Sequence, residues 1–144
     1  MSDFAPISFT VPGPPRGKGR PQFARRGKFV TTYTDDKTAS YENLVALACR
    51  EVMKGAPTME GPVWLQVSAT FAIPASASKV KKLAMATGHV AATKKPDLDN
   101  IVKAVLDGLN SVAFVDDVQV IHISARKEYG PQPQVWVRVE PALL

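Results

Sequence analysis

The sequence predicts a single α/β (α+β) domain in which a mixed sheet of about four strands packs against two main helices. Three observations carry this. The chain has 144 residues and is 45% hydrophobic, enough to bury one core without disulfides or structural metal. Apolar residues alternate with polar ones in several separate stretches, the period of strands with one buried face. Between those stretches lie runs whose apolar residues recur at helical spacing. No repeat and no second domain is visible over residues 1–144.

The first element is a strand, because Ile7, Phe9 and Val11 alternate with Ser8 and Thr10 until Pro12 stops the pattern. From about residue 12 to 30 a flexible basic loop is expected. Prolines and glycines there are too dense for a helix, and no acidic residue occurs between Asp3 and Asp35. A helix capped by Thr38 follows, with Tyr41, Leu44, Val45, Ala48, Cys49 and Val52 as its apolar positions and Gly55 as its stop. The run Val63, Leu65, Val67, Ala69, Phe71, Ile73 is the clearest strand, and Pro74 ends it. Residues Ser76 to Thr87 form a short lysine-rich helix closed by Gly88. A second main helix carries Ile101, Val102, Val105, Leu106 and Leu109, with Asp99 as its N-cap and Asn110 near its end. Val118 to Arg126 reads as a strand, buried on both faces or bulged at the adjacent Val120 and Ile121. Val135, Val137 and Val139 form the last strand.

Charge and cysteine content narrow the function classes. A single cysteine, Cys49, excludes a disulfide framework and is most simply a core residue. The N-terminus has no apolar run resembling a signal peptide, and no segment approaches the roughly 20 apolar residues of a membrane span, so a cytoplasmic location is expected. The net charge is +5. Arg16, Lys18, Arg20, Arg25, Arg26 and Lys28, with Phe23 and Tyr33 interleaved as stacking groups, suit a nucleic acid backbone, the bland alternative being a solvated loop. Lys94 and Lys95 add to this basic set.

Against that background the acidic residues are concentrated. Five of the thirteen, Asp97, Asp99, Asp107, Asp116 and Asp117, fall within the 21 positions from Asp97 to Asp117. Asp97 and Asp99 are expected on one side of an extended segment. Lys103 lies one helical turn beyond Asp99, and Asp117 is delivered by the short connection after the helix. Three carboxylates about 5 Å apart repel by roughly 3 kcal/mol per pair at an effective dielectric near 20, a cost that a divalent cation removes. An all-oxygen ligand set points to Mg²⁺, with Mn²⁺ as a substitute, and neither His89 nor His122 has zinc-site spacing. Asp97, Asp99 and Asp117 are therefore the expected metal ligands and Lys103 the group facing phosphate or water. Asp116 is an alternative ligand, and Asp107 stands between an ion-pair row with Lys103 and a supporting role at the site.

The residues Asp97-Leu98-Asp99-Asn100, Lys103, and Phe114-Val115-Asp116-Asp117-Val118-Gln119-Val120 resemble the RusA family of Holliday junction resolvases, endodeoxyribonucleases often carried by phages and prophages. The similarity covers most of the chain, including the exit Val11-Pro12-Gly13-Pro14-Pro15 and the Tyr41 helix. It implies a Mg²⁺-dependent homodimer, with no small-molecule cofactor beyond metal, that makes paired nicks in four-way junction DNA. It also implies Asp97, Asp99 and Asp117 as the essential carboxylates and Lys103 as the essential lysine. Pro96 stands where members carry a basic residue. The competing readings are a catalytically silent junction-binding protein and a nuclease for other branched DNA.

Overall fold

The computed structural model describes residues 4–19, 22–26, 29–33 and 36–143; for 22–26, 29–33 and 36–37 the description is of the backbone. The elements are β1 (Ile7–Pro12), β2 (Gln22–Arg26), β3 (Phe29–Tyr33), α1 (Asp36–Met53), β4 (Val63–Ala72), α2 (Lys79–Ala86), α3 (Leu98–Leu109), a single 3₁₀ turn (Asp117–Gln119), β5 (Val120–Gly130) and β6 (Gln134–Pro141).

The main sheet has four strands in the order β1-β6-β4-β5. β6 pairs antiparallel with both β1 and β4, while β4 and β5 run parallel, so the sheet is mixed as expected. A parallel pair needs a long crossover, and here that connection contains α2, α3 and the acidic residues. The alternation in β4 buries Val63, Leu65, Val67, Ala69 and Phe71, and β6 buries Val135, Val137 and Val139 on the same face. At roughly 1.5–3 kcal/mol per large apolar side chain removed from water, this face is the main source of stability. α1 packs on β1 and α3, adding Tyr41, Val45 and Cys49 to the core. Burial pushes the Cys49 thiol up to about 11, which makes it the inert core residue expected.

The two helices approach closely at Gly108, where an added Cβ would lie 2.7 Å from the Val45 Cβ and 2.8 Å from the Glu42 carbonyl oxygen. A second close approach occurs at Gly17, whose Cβ would lie 3.0 Å from that of Asn100 and 3.1 Å from that of Pro96. The segment after β1 is thereby held against the start of α3, with Lys18 N donating to the Asn100 carbonyl (2.9 Å) and Gly19 N to Thr38 Oγ1 (2.9 Å).

Three expectations change. The stretch expected as a loop at about 12–30 contains β2, which pairs antiparallel with β3 in a separate two-stranded sheet. α1 starts at Asp36, so Thr38 lies inside its first turn and accepts a hydrogen bond from the preceding segment instead of capping. β5 begins at Val120, after the 3₁₀ turn, and is an exposed edge strand; its pairing with β4 shifts register by one residue at Ile121, which accounts for the adjacent apolar pair.

Candidate active site

α3 begins two residues earlier than the sequence pattern indicates. Ile101 N donates to the Asp97 carbonyl (3.1 Å), and Asp97 has extended backbone angles (φ −64°, ψ 146°), so Asp97 is the N-cap and Asp99 belongs to the first turn. Asp97 and Asp99 therefore straddle the start of the helix and do not share one extended segment. The Asp97 carboxylate makes no capping bond although it occupies the capping position. Both carboxylates are exposed and lie near the positive end of the helix, which stabilises negative charge.

Ile101, Ala104, Val105, Gly108 and Leu109 form the buried face of α3. Asp99, Lys103 and Asp107, at four-residue spacing, form a stripe about 12 Å long at 1.5 Å rise per residue. The ion-pair row envisaged for this stripe is not formed. Asp107 Oδ2 pairs instead with Lys18 Nζ at 2.8 Å, and Lys18 also reaches Glu42 Oε1 at 2.7 Å. Lys103 makes no ion pair among the described residues, and its side chain is exposed.

After the helix the chain reverses tightly. Ser111 takes a positive φ (65°) and donates through its N–H to the Phe114 carbonyl (2.8 Å), while fully buried Phe114 anchors the turn in the core. Asp116 is extended, and at Asp117 the backbone enters the 3₁₀ turn. Because the pair is not extended throughout, the two side chains do not diverge as expected. A hydrogen bond with the Asp116 carboxyl, followed by burial and the charges of Asp116 and Asp107, holds the Asp117 carboxyl above the usual carboxylate range.

Gln119 closes this turn. Its Oε1 accepts from Val115 N (2.9 Å) and Asp116 N (3.1 Å), and its Nε2 donates to the carbonyls of Met59 (3.0 Å) and Gly61 (3.0 Å). The sequence placed Gln119 in a motif but assigned it no role.

Among the described residues, no three histidine, cysteine, aspartate or glutamate side chains stand close enough together to hold one ion. The carboxylates form two groups, Asp97 with Asp99 at the start of α3, and the Asp116–Asp117 pair with Asp107 in electrostatic reach. Mutual repulsion gives such side chains no reason to gather further by themselves. The donor set is oxygen only, since His122 stacks on Trp64 (centroids 4.6 Å apart, planes within 1°) and His89 Nδ1 lies 2.8 Å from the Thr87 hydroxyl. An oxygen donor set with an uncapped Asp97 is of the kind that hard divalent cations take.

Basic groups flank the acidic residues. A cleft of about 580 Å³ adjoins Asp97 and is lined by Arg16, Gly17, Lys18, Lys95, Pro96 and Asn100 among others. Arg16 and Lys95 are exposed cations on its rim, whereas Lys18, expected to contact DNA, has its ammonium committed to Glu42 and Asp107. Lys94 Nζ stands 5.5 Å from the Phe71 ring centroid. Lys127 Nζ lies 5.3 Å from the same ring and donates to the Lys94 carbonyl. The sequence reading missed Lys127, because only the pairing of β4 with β5 brings it beside Phe71. Arg25 and Arg26 fall in β2, where the description is of the backbone; Arg20 and Lys28 lie outside the described residues.

The model of a protein family described as endodeoxyribonuclease RusA matches residues 12–140. The chain is also 35% identical over 135 residues to the uncharacterized protein YqaN of Bacillus subtilis (strain 168), an alignment that covers 92% of this chain and 94% of that protein.

Proposed function

From the chain's membership of the RusA family of endodeoxyribonucleases, enzymes that resolve Holliday junctions, we propose that it hydrolyses phosphodiester bonds of four-way junction DNA in a Mg²⁺-dependent reaction at the acidic site around α3. Asp97, Asp99 and Asp117 hold the ion, with Asp116 able to stand in for Asp117, and Mn²⁺ can replace Mg²⁺. The observation that carries this reading is the family match over residues 12–140, together with acidic residues at both ends of α3: Asp97 and Asp99 at its start and the Asp116–Asp117 turn beyond its end.

A divalent ion bound there supplies neutralisation of charge on the scissile phosphate and lowers the pKa of the attacking water. The chain's own residues do the rest. Lys103, free of any ion pair among the described residues, offers its ammonium to a phosphate oxygen whose charge grows in the transition state. Asp97 and Asp99, unburdened by capping or burial, can turn toward the same point. Arg16, Lys94, Lys95 and Lys127 attract and align the DNA backbone through charge, and Arg20, Arg25, Arg26 and Lys28 extend that surface. Paired symmetric nicks need two sites related by a two-fold axis, so the active form is a homodimer.

None of the described helices is long and apolar enough to cross a membrane. The decisive experiment compares the protein with Asp97→Asn, Asp99→Asn and Asp117→Asn on a synthetic four-way junction. Cleavage with Mg²⁺ or Mn²⁺ by the unaltered protein and its loss in each variant is the expected result. Junction binding by the unaltered protein without cleavage in Mg²⁺ or Mn²⁺, or equal cleavage by the variants, would sink the reading, and a panel of forks, nicked and linear duplexes separates junction selectivity from general nuclease action. Sedimentation showing only monomer, with and without junction DNA, would refute the dimer.

A further inference from the structure

The Asp116–Asp117 turn carries charges that repel one another and Asp107, it is exposed to half-buried, and it follows a tight reversal whose apolar anchor, Phe114, lies two residues before it. Repulsion alone would open it. Besides the backbone bond from Gln119 N to the Asp116 carbonyl (3.1 Å), one side chain ties the turn to the rest of the fold. A primary amide has two acceptor lone pairs and two donor hydrogens, and Gln119 has all four engaged: two backbone N–H groups on the acidic turn, at Val115 and Asp116, and two carbonyls, at Met59 and Gly61.

The far side of this bridge is rigid. Met59 is buried, and its N–H donates to the Ala113 carbonyl at 2.8 Å. Thr58 Oγ1 donates to the Val112 carbonyl at 3.2 Å, and β4 enters the core at Val63 just beyond. The amide is thus the last of a row of links that fasten the turn to the segment leading into the central strand. No other side chain of this length reproduces it. Glutamate keeps the acceptors, loses both donors and adds a fourth negative charge to the three of Asp107, Asp116 and Asp117; methionine keeps only the length.

We propose that Gln119 is a positioning residue for catalysis, a four-bond latch that fixes the Asp116–Asp117 turn against the start of β4 so that its carboxylates face the reacting phosphate. The inference rests on the nuclease reading above and adds to it a group that touches neither substrate nor ion. Removing the latch lowers the rate of the chemical step and weakens response to the cation, while the basic surface that binds DNA is untouched.

The test uses the full chain, Gln119→Met and Gln119→Glu. Hydrogen exchange reads the latch directly, because the Val115 and Asp116 amides are protected only while Gln119 accepts from them. In the unaltered protein these amides are protected, and in Gln119→Met they exchange faster while the amides of β4 and β6 keep their protection. Single-turnover cleavage of a four-way junction falls by about 10- to 100-fold in Gln119→Met, the range found when groups that orient metal ligands are removed. Junction affinity in EDTA stays within about twofold, and the Mg²⁺ concentration for half-maximal rate rises. Gln119→Glu keeps protection at Val115 and Asp116 better than Gln119→Met yet cleaves no faster.

Free exchange of Val115 and Asp116 in the unaltered protein overturns the proposal, whatever the variants do. So does cleavage by Gln119→Met at the unaltered rate, or a loss of junction affinity in EDTA that matches the loss of cleavage, which would mark a general structural role. Absence of cleavage by the unaltered protein is a different outcome and strikes the nuclease reading itself.

Discussion

Replacing Lys18 with methionine separates two accounts of the basic arm. As one of six cations in an acid-free stretch, Lys18 reads as a phosphate contact; in the fold its ammonium lies 2.7 Å from Glu42 and 2.8 Å from Asp107 and joins α1 to α3 beside the site. Its side chain is 27% exposed and those of its partners 20% and 35%, so the pairs are intermediate between surface and buried. Exposed pairs contribute about 0.2–1 kcal/mol each and hydrogen bonds to charged groups about 1.5–3. With screening by solvent, a total of roughly 1–3 kcal/mol is expected, including the repulsion left between Glu42 and Asp107 once the cation is gone. For a domain of this size that lowers Tm by about 3–10 °C. Burial works to lower the Lys18 pKa, but the hydrogen bonds and charges of Asp107 and Glu42 outweigh it and hold the group above 10.5. The stabilisation is therefore fully present below pH 10.5 and is lost as pH rises through the higher folded-state value. Thermal melts at neutral and alkaline pH, in low and high salt, measure this. Lys18→Met should melt lower, the difference should shrink in high salt and at alkaline pH, and Glu42→Gln in the same chain should recover part of the loss. An unchanged Tm together with a salt dependence of junction binding flattened by about 0.9 in log–log slope would refute the structural account and restore Lys18 to the DNA surface.

Two further outcomes follow from the same geometry. Asp117→Asn should raise stability at neutral pH by a few tenths of a kcal/mol, after discounting for solvent, while abolishing cleavage. The folded-state pKa of Asp117 is raised, so the cost it imposes applies above that pKa and disappears as pH falls through it; urea melts should show the variant's advantage shrinking on acidification, and a constant or opposite difference would contradict the crowding of Asp116 and Asp117. Gly108→Ala should destabilise by about 1–3 kcal/mol, since the new methyl meets the Val45 Cβ at 2.7 Å and backbone of α1 at 2.8 Å, an overlap that outweighs the better helix propensity of alanine. A urea midpoint at or above that of the unaltered protein would show that α1 and α3 separate without penalty.

How much of this was legible depended on whether the signal was local. The alternation of β1, β4 and β6 and the apolar face of α3 were visible because each element states its own period, and the mixed four-stranded sheet followed; on α1, Tyr41, Val45 and Cys49 are buried as expected, whereas Leu44 and Val52 of the same expected face are exposed. The hairpin was hidden by charge and by Pro and Gly on its N-terminal side, although Phe29-Val30-Thr31-Thr32-Tyr33 has strand composition and only Gly27 and Lys28 separate it from β2. The helix start was misplaced by two residues because Asp97 and Asp99 are both good caps; the backbone hydrogen bond from Ile101 decides it. Partnerships across the fold left no local mark. Nothing within a few residues of Lys18 announces Glu42 or Asp107, and Gln119 gives no hint of carbonyls 58 and 60 positions away.

These distant partnerships bear on why the motif residues are available at all. On an isolated helix Lys103 would pair with Asp107 or Asp99 at four-residue spacing, and a lysine so occupied offers little to a phosphate. Lys18 takes Asp107 out of that competition from outside the helix, while Gln119 restrains the Asp116–Asp117 turn against its own repulsion from the other end of the site. Between these two restraints stand Asp97, whose carboxylate does not cap, and Lys103, which has no ion pair among the described residues. One cation of the basic segment thus sets the charge balance of the acidic site, so losing Lys18 disturbs the electrostatics around Lys103 as well as the packing of α1 on α3.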